Sequence, residues 1–104
     1  MNLTGRTALV TGGVGLLGSQ FAKTLALAGA RVAIFDLKNE LPLNLQDCWF
    51  DNCGLGIELF KVDITNKNSV KLGFECITHD GNIPTILINC AGLDSHPHAS
   101  TDQN

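Results

Sequence analysis

The chain has 104 residues, of which 44% are hydrophobic and 16% charged, and a formal net charge of −3, so it has room for one domain and the side chains to give that domain a core. It is too apolar to stay disordered, and it offers no basic patch to attract nucleic acid or an anionic membrane. It contains no tyrosine.

The opening Met1-Asn2-Leu3-Thr4-Gly5-Arg6 lacks the basic start and long apolar run of a signal peptide. Lys23, Arg31, Asp36 and Lys38 cut the apolar stretches short of the ~18 residues a membrane span needs. Cysteines stand at 48, 53, 76 and 90 with no Cys-x-x-Cys pair, which predicts reduced, mostly buried thiols and a cytoplasmic protein.

Taken in chain order, Thr7–Thr11 is a short apolar run closed by Gly12-Gly13 and reads as a buried strand. Leu16 to Ala28 has the helical period, with Leu17, Phe21, Leu25 and Ala28 as its expected buried face and Gly29 as its stop. Arg31–Phe35 is a second strand, ended by Asp36. Leu41, Leu45 and Trp49 share a helical face, and Gly54-Leu55-Gly56 breaks it. Ile57–Val62 is a third strand, ended by Asp63. Thr65 or Asn66 caps a helix with Val70, Phe74 and Ile77 on its inner face, and His79 stands at its end, where a cation complements the dipole. Residues 79–82 form a turn, Ile83–Asn89 is a fourth strand, and residues 93–104 are a polar tail behind a domain of residues 1–92. Strands buried on both faces and separated by helices predict an α/β fold. Its expected form is a doubly wound parallel sheet of about four strands in the order 3-2-1-4.

Between the first strand and the first helix, Gly13-Val14-Gly15-Leu16-Leu17-Gly18 fits Gly-x-Gly-x-x-Gly. A strand before it and a helix after it supply the context in which this pattern binds a dinucleotide. Gly13 would allow the tight turn, Gly15 the close approach of a pyrophosphate, and Gly18 close helix packing. Amides at the helix start would hold the phosphate charge. Asp36 stands 18 residues after Gly18 and could accept both ribose hydroxyls of NAD while repelling the 2′-phosphate of NADP. The alternative is a glycine-rich turn that binds nothing, with Asp36 a solvated strand end. Asp63 could accept from the adenine amino group or serve as a helix cap. Asn89-Cys90-Ala91-Gly92 could lie against a ribose or be a plain turn.

Together these residues resemble the short-chain dehydrogenase/reductase family. Thr11-Gly12-Gly13-Val14-Gly15-Leu16-Leu17-Gly18 is similar to its cofactor loop, Val62-Asp63-Ile64 to its adenine-contacting acid, and Asn89-Cys90-Ala91-Gly92 to its Asn-Asn-Ala-Gly segment. The resemblance runs from about Leu3 to Gly92 and implies the cofactor-binding half of a Rossmann-type fold and a nicotinamide cofactor, NAD before NADP. Two features depart from the family pattern. Gly12, Gly15 and Gly18 have the spacing of the extended branch, whereas the Asn89–Gly92 segment is nearer the shorter branch, with Cys90 for its second Asn. The family's Tyr-x-x-x-Lys pair and serine have no counterpart here, and Ser95, Ser100 and Thr101 precede the place where the serine would stand.

The expected protein is therefore the NAD(P)-binding N-terminal portion of an oxidoreductase, a piece of a longer gene product without turnover of its own. The alternatives are a non-enzymatic nucleotide-binding module and a protein-interaction module. His96-Pro97-His98 with Asp94 is too sparse a ligand set to predict a metal. The open edge of strand 83–89 predicts a homodimer or aggregation, with a tail folded back over the edge as the alternative.

Overall fold

The computed structural model describes residues 2–38, 56–79 and 81–91. In chain order they form β1 (Thr7–Thr11), α1 (Leu16–Leu27), β2 (Arg31–Asp36), β3 (Ile57–Lys61), α2 (Lys67–Thr78) and β4 (Ile86–Asn89). The four strands make one sheet in the order β3-β2-β1-β4, and every pair is parallel. The expected sheet order is thus the observed one. The predicted helix around Leu41–Trp49 and the tail 93–104 lie outside the described residues.

Right-handed crossovers set the layers. The chain steps outward from β1 to β2 to β3, then returns across the sheet to β4, so α1 and α2 fall on opposite faces. Strand alternation supplies a core for each. Ala8, Val10, Val32, Ile34 and Ile57 pack with Ala22, Leu25 and Ala26 of α1. Leu9, Ala33 and Phe35 pack with Val62 and with Ile77 of α2. Val10, Val32, Ile34, Phe35 and Ile57 are almost wholly buried, and each contributes about 1.5–3 kcal/mol by leaving water. The Phe35 ring meets Phe60 and Phe74 edge-on, with centroids 6.1 and 5.8 Å away.

The buried face of α1 differs from the periodicity reading. Gly18, Ser19, Ala22, Leu25 and Ala26 are buried, whereas Phe21 is 40% exposed and Leu17 also lies on the flank. Small residues let this helix lie close to the sheet, which turns the larger side chains aside. α1 ends in a Schellman pair, with the Gly29 N–H donating to Ala26 O at 2.9 Å and the Ala30 N–H to Leu25 O at 3.1 Å. Gly29 takes the left-handed φ of +102° that this ending requires. In α2, Asn66 is the cap, accepting the Ser69 N–H at 3.1 Å, and His79 is the C-terminal cap residue. Gly73 shares the inner face with Ile77, while Phe74 stays 41% exposed despite its contact with Phe35.

The fourth strand is shorter than the predicted 83–89. Pro84 has no N–H to give a ladder, and pairing starts when the Thr85 N–H donates to Thr7 O at 2.9 Å. Cys90 is buried and Cys76 exposed, while Cys48 and Cys53 lie outside the described residues. Among the described residues no helix is long and apolar enough to cross a membrane, and no cluster of His, Cys, Asp and Glu could hold a metal. The residues Asp94, His96 and His98 lie outside the described region.

Candidate functional site

Parallel strands bring all their carboxyl ends to one edge of the sheet, and in this order the chain reverses direction between β1 and β4. A cleft of about 380 Å³ opens at that edge. The residues that follow each of the four strands line it: Gly12 and Gly15 after β1, Asp36 to Lys38 from β2, Val62 to Thr65 after β3, and Cys90 and Ala91 after β4, with Phe35 beneath.

The turn after β1 is held from β2. The Gly12 N–H donates to Phe35 O at 2.8 Å, and the Gly15 N–H closes back on Gly12 O at 3.1 Å. The positive φ of the turn, +68°, belongs to Gly12 and not to Gly13 as the sequence suggested. A Cβ on Gly13 would instead collide with the Ile34 side chain, at 2.6 Å from Cγ2. Gly15 is the N-cap of α1, at φ −70° and ψ 173°. Any residue can adopt that backbone, so glycine here relieves no strain. The first bond within the helix is Ser19 N–H to Gly15 O at 2.9 Å, and the first turn carries no acidic side chain. The positive end of the α1 dipole therefore opens on the cleft at Gly15, which is the arrangement that attracts an anion.

Two carboxylates face the same cleft. Asp36 accepts the Val14 N–H on Oδ2 at 3.1 Å and the Lys38 N–H on Oδ1 at 3.1 Å. Asp63 accepts both the hydroxyl and the N–H of Thr65 on Oδ1, at 2.6 and 3.0 Å. The hydroxyl bond first, then the backbone bond, hold its carboxyl below the ordinary aspartate value, against a small opposing effect of burial. Asp63 is therefore not the cap of α2, a place taken by Asn66, and its Oδ2 stays available to a donor.

Behind the cleft, the Thr11 hydroxyl donates to Asn89 Oδ1 at 2.5 Å and accepts the Ala91 N–H at 3.4 Å. A Cβ on Gly12 would stand 2.9 Å from Ala91 Cα, so the ends of β1 and β4 meet only because Gly12 is bare. Of the residues singled out from sequence, Gly12, Gly15, Asp36, Asp63, Ile64, Cys90 and Ala91 line the cleft. Thr11, Gly13, Gly18 and Asn89 support it from behind, Leu16 and Leu17 stand exposed at the helix start, and Gly92 lies outside the described residues. Sequence reading missed Phe35, Leu37, Lys38 and Thr65, while Val62 entered it only as part of the Val62-Asp63-Ile64 motif. Leu37, Lys38 and Thr65 follow strands β2 and β3 and could have been found by extending each carboxyl end two to three residues.

These groups fit a dinucleotide: the glycine turn and helix start for a pyrophosphate, a carboxylate for ribose hydroxyls, and the exposed apolar Leu37 and Ile64 on the rim for a flat base. A family model for short chain dehydrogenases matches residues 6–104, beyond the Gly92 limit of the sequence resemblance. The NADP-dependent dehydrogenase M3 of Phoma sp. (strain ATCC 20986 / MF5453) is 33% identical over 95 residues, 90% of this chain and 27% of that protein. The short chain dehydrogenase/reductase dpmpG of Macrophomina phaseolina (strain MS6) is 36% identical over 93 residues, 88% of this chain and 53% of that protein. A protein assigned as a D-mannonate oxidoreductase from Haemophilus influenza, solved with bound NAD, superposes with a TM-score of 0.71 at 26% identity, over 83% of this chain and 30% of that one. The chain thus spans between about a quarter and about a half of the length of these curated relatives. With the sheet, the glycine turn and these likenesses agreeing, the chain belongs to the short-chain dehydrogenase/reductase family of oxidoreductases and matches its N-terminal part.

Proposed function

We propose that this chain is the dinucleotide-binding portion of its oxidoreductase and that it holds NAD chiefly by the adenosine half. The observation that carries this reading is the convergence of the glycine turn at the start of α1, Asp36 and Asp63 on one cleft. Thr11, Gly12, Gly13, Gly15 and Gly18 shape the pyrophosphate end, with amides at Leu16 and Leu17 contributing to the helix start. Asp36 takes the ribose, Asp63 and Ile64 the adenine, and residues 89–92 the far ribose. Bound NAD would supply the hydride acceptor. The 104 residues contain no tyrosine to act as acid/base, so the chain alone turns over no substrate.

NAD is favoured over NADP because a 2′-phosphate would meet the Asp36 carboxylate. One observation favours the opposite choice: Lys38 lines the same rim and could pair with that phosphate. Titration with NAD, NADP and AMP decides between them. NAD and AMP are expected to bind comparably and NADP more weakly. No binding of any of the three at millimolar concentration would overturn the reading.

β4 pairs only with β1 among the described residues and carries Leu87 65% exposed, which supports self-association of two copies through this edge.

A further inference from the structure

Asp36 lies 22 residues from Val14 in sequence, yet its Oδ2 accepts the Val14 N–H at 3.1 Å in a part-buried setting. The neighbouring Phe35 carbonyl accepts the Gly12 N–H. The last two residues of β2 thus hold two residues of the glycine turn. The Lys38 N–H on Oδ1 fixes the plane of the carboxylate that does so. We infer that Asp36 is a positioning residue for the glycine turn, pinning Val14 so that the turn is already shaped to receive a pyrophosphate before any ligand arrives.

This inference rests on the dinucleotide reading and deepens it. Each carboxylate oxygen has two acceptor positions, so the bond to Val14 leaves Asp36 able to take a ribose hydroxyl as well. One side chain then couples the ribose and phosphate ends of the ligand. Simple electrostatics makes the opposite statement about the phosphate end. A carboxylate near an anion site repels the anion, and its removal should strengthen binding.

Two variants of the full chain separate the effects. Asp36→Ala and Asp36→Asn both remove the charge, but Asn keeps an oxygen that can accept the Val14 N–H. That part-buried donor is the costlier one to leave unpaired, so the Asn oxygen turns to it and releases the exposed Lys38 N–H. Binding of inorganic pyrophosphate, followed by amide chemical shifts, is expected to be about five-fold tighter in Asp36→Asn than in Asp36→Ala. In the ligand-free protein, exchange of the Val14 amide is expected to speed up by about ten-fold in Asp36→Ala and to stay near the parent rate in Asp36→Asn. Equal pyrophosphate affinities in the two variants, with NAD still bound by the parent chain, would overturn the positioning role and leave the dinucleotide reading standing. Failure of the parent to bind either pyrophosphate or NAD would overturn the dinucleotide reading. The Val14 exchange rates would then still decide whether Asp36 pins the turn.

Discussion

Gly18 of α1 lies directly against Gly12 of the turn after β1, and a Cβ on Gly18 would overlap the Gly12 carbonyl oxygen and stand 2.8 Å from the carbonyl carbon. This contact seats the first helix on the sheet and, at its other side, Gly12 leaves space for Ala91 at the end of β4. Backbone meets backbone here, so no rotamer change can absorb an added methyl. Gly18→Ala is expected to destabilise the chain by about 1–3 kcal/mol, with a lowered thermal midpoint. Leu16→Ala, on a side chain 78% exposed, should shift it by less than about 0.5 kcal/mol. Equal midpoints for the two variants would contradict the close packing.

Phe35 ties β2 to both β3 and α2 through Phe60 and Phe74, and it is 1% exposed. Phe35→Ala should cost about 3–5 kcal/mol. Against a total stability of roughly 5–15 kcal/mol, that removes between about a fifth and all of it. Circular dichroism in urea measures it, and Phe35→Leu should fall well short of the same loss.

The Asp63–Thr65 pair gives stability a pH dependence of known sign. The folded carboxyl titrates below its ordinary value of 3.8 because of the Thr65 hydroxyl and amide. A lowered folded pKa means the contribution is complete above the unfolded value and is lost as pH falls from about 3.8 through the folded one. Thr65→Val removes the hydroxyl donor. The urea midpoint of the variant should fall below that of the parent at pH 7, and the two should converge in strong acid. A constant difference down to pH 2 would contradict the assignment.

Asp36→Ala should weaken NAD by about ten-fold through loss of a charged acceptor, while NADP, no longer repelled, holds or gains affinity. Calorimetric titration of both nucleotides reads the ratio. An unchanged ratio would remove Asp36 from the ribose site.

Leu87→Lys places a charge on the outer strand, where it disfavours pairing with another chain. If two copies meet through β4, light scattering should show the parent as a dimer and the variant as a monomer. A monomeric parent would sink the edge-to-edge proposal.

How much of this was legible follows from the kind of signal. Apolar runs closed by Gly12-Gly13, Asp36 and Asp63 mark strands by local chemistry, and the alternation of strand and helix constrains the crossovers, so the sheet order could be read directly. The glycine spacing and the two acids likewise marked the cleft. Helix faces were harder. The large residues Leu17 and Phe21 drew the periodicity reading, yet the close approach at Gly18 turned the small face of α1 inward.

From the sequence alone came the parallel α/β sheet, its order, the family resemblance, and the carboxyl edge of the strands as the place to look for a cleft, because these depend on local pattern and on chain handedness. Only the tertiary structure decided that Gly12 takes the strained turn, that Asn66 and not Asp63 caps α2, that Lys38, Leu37 and Thr65 share the cleft, and that Asp36 reaches Val14. Each of those is a contact between segments distant in sequence or a choice among neighbouring residues, and only the packed chain brings the competing atoms within reach of one another.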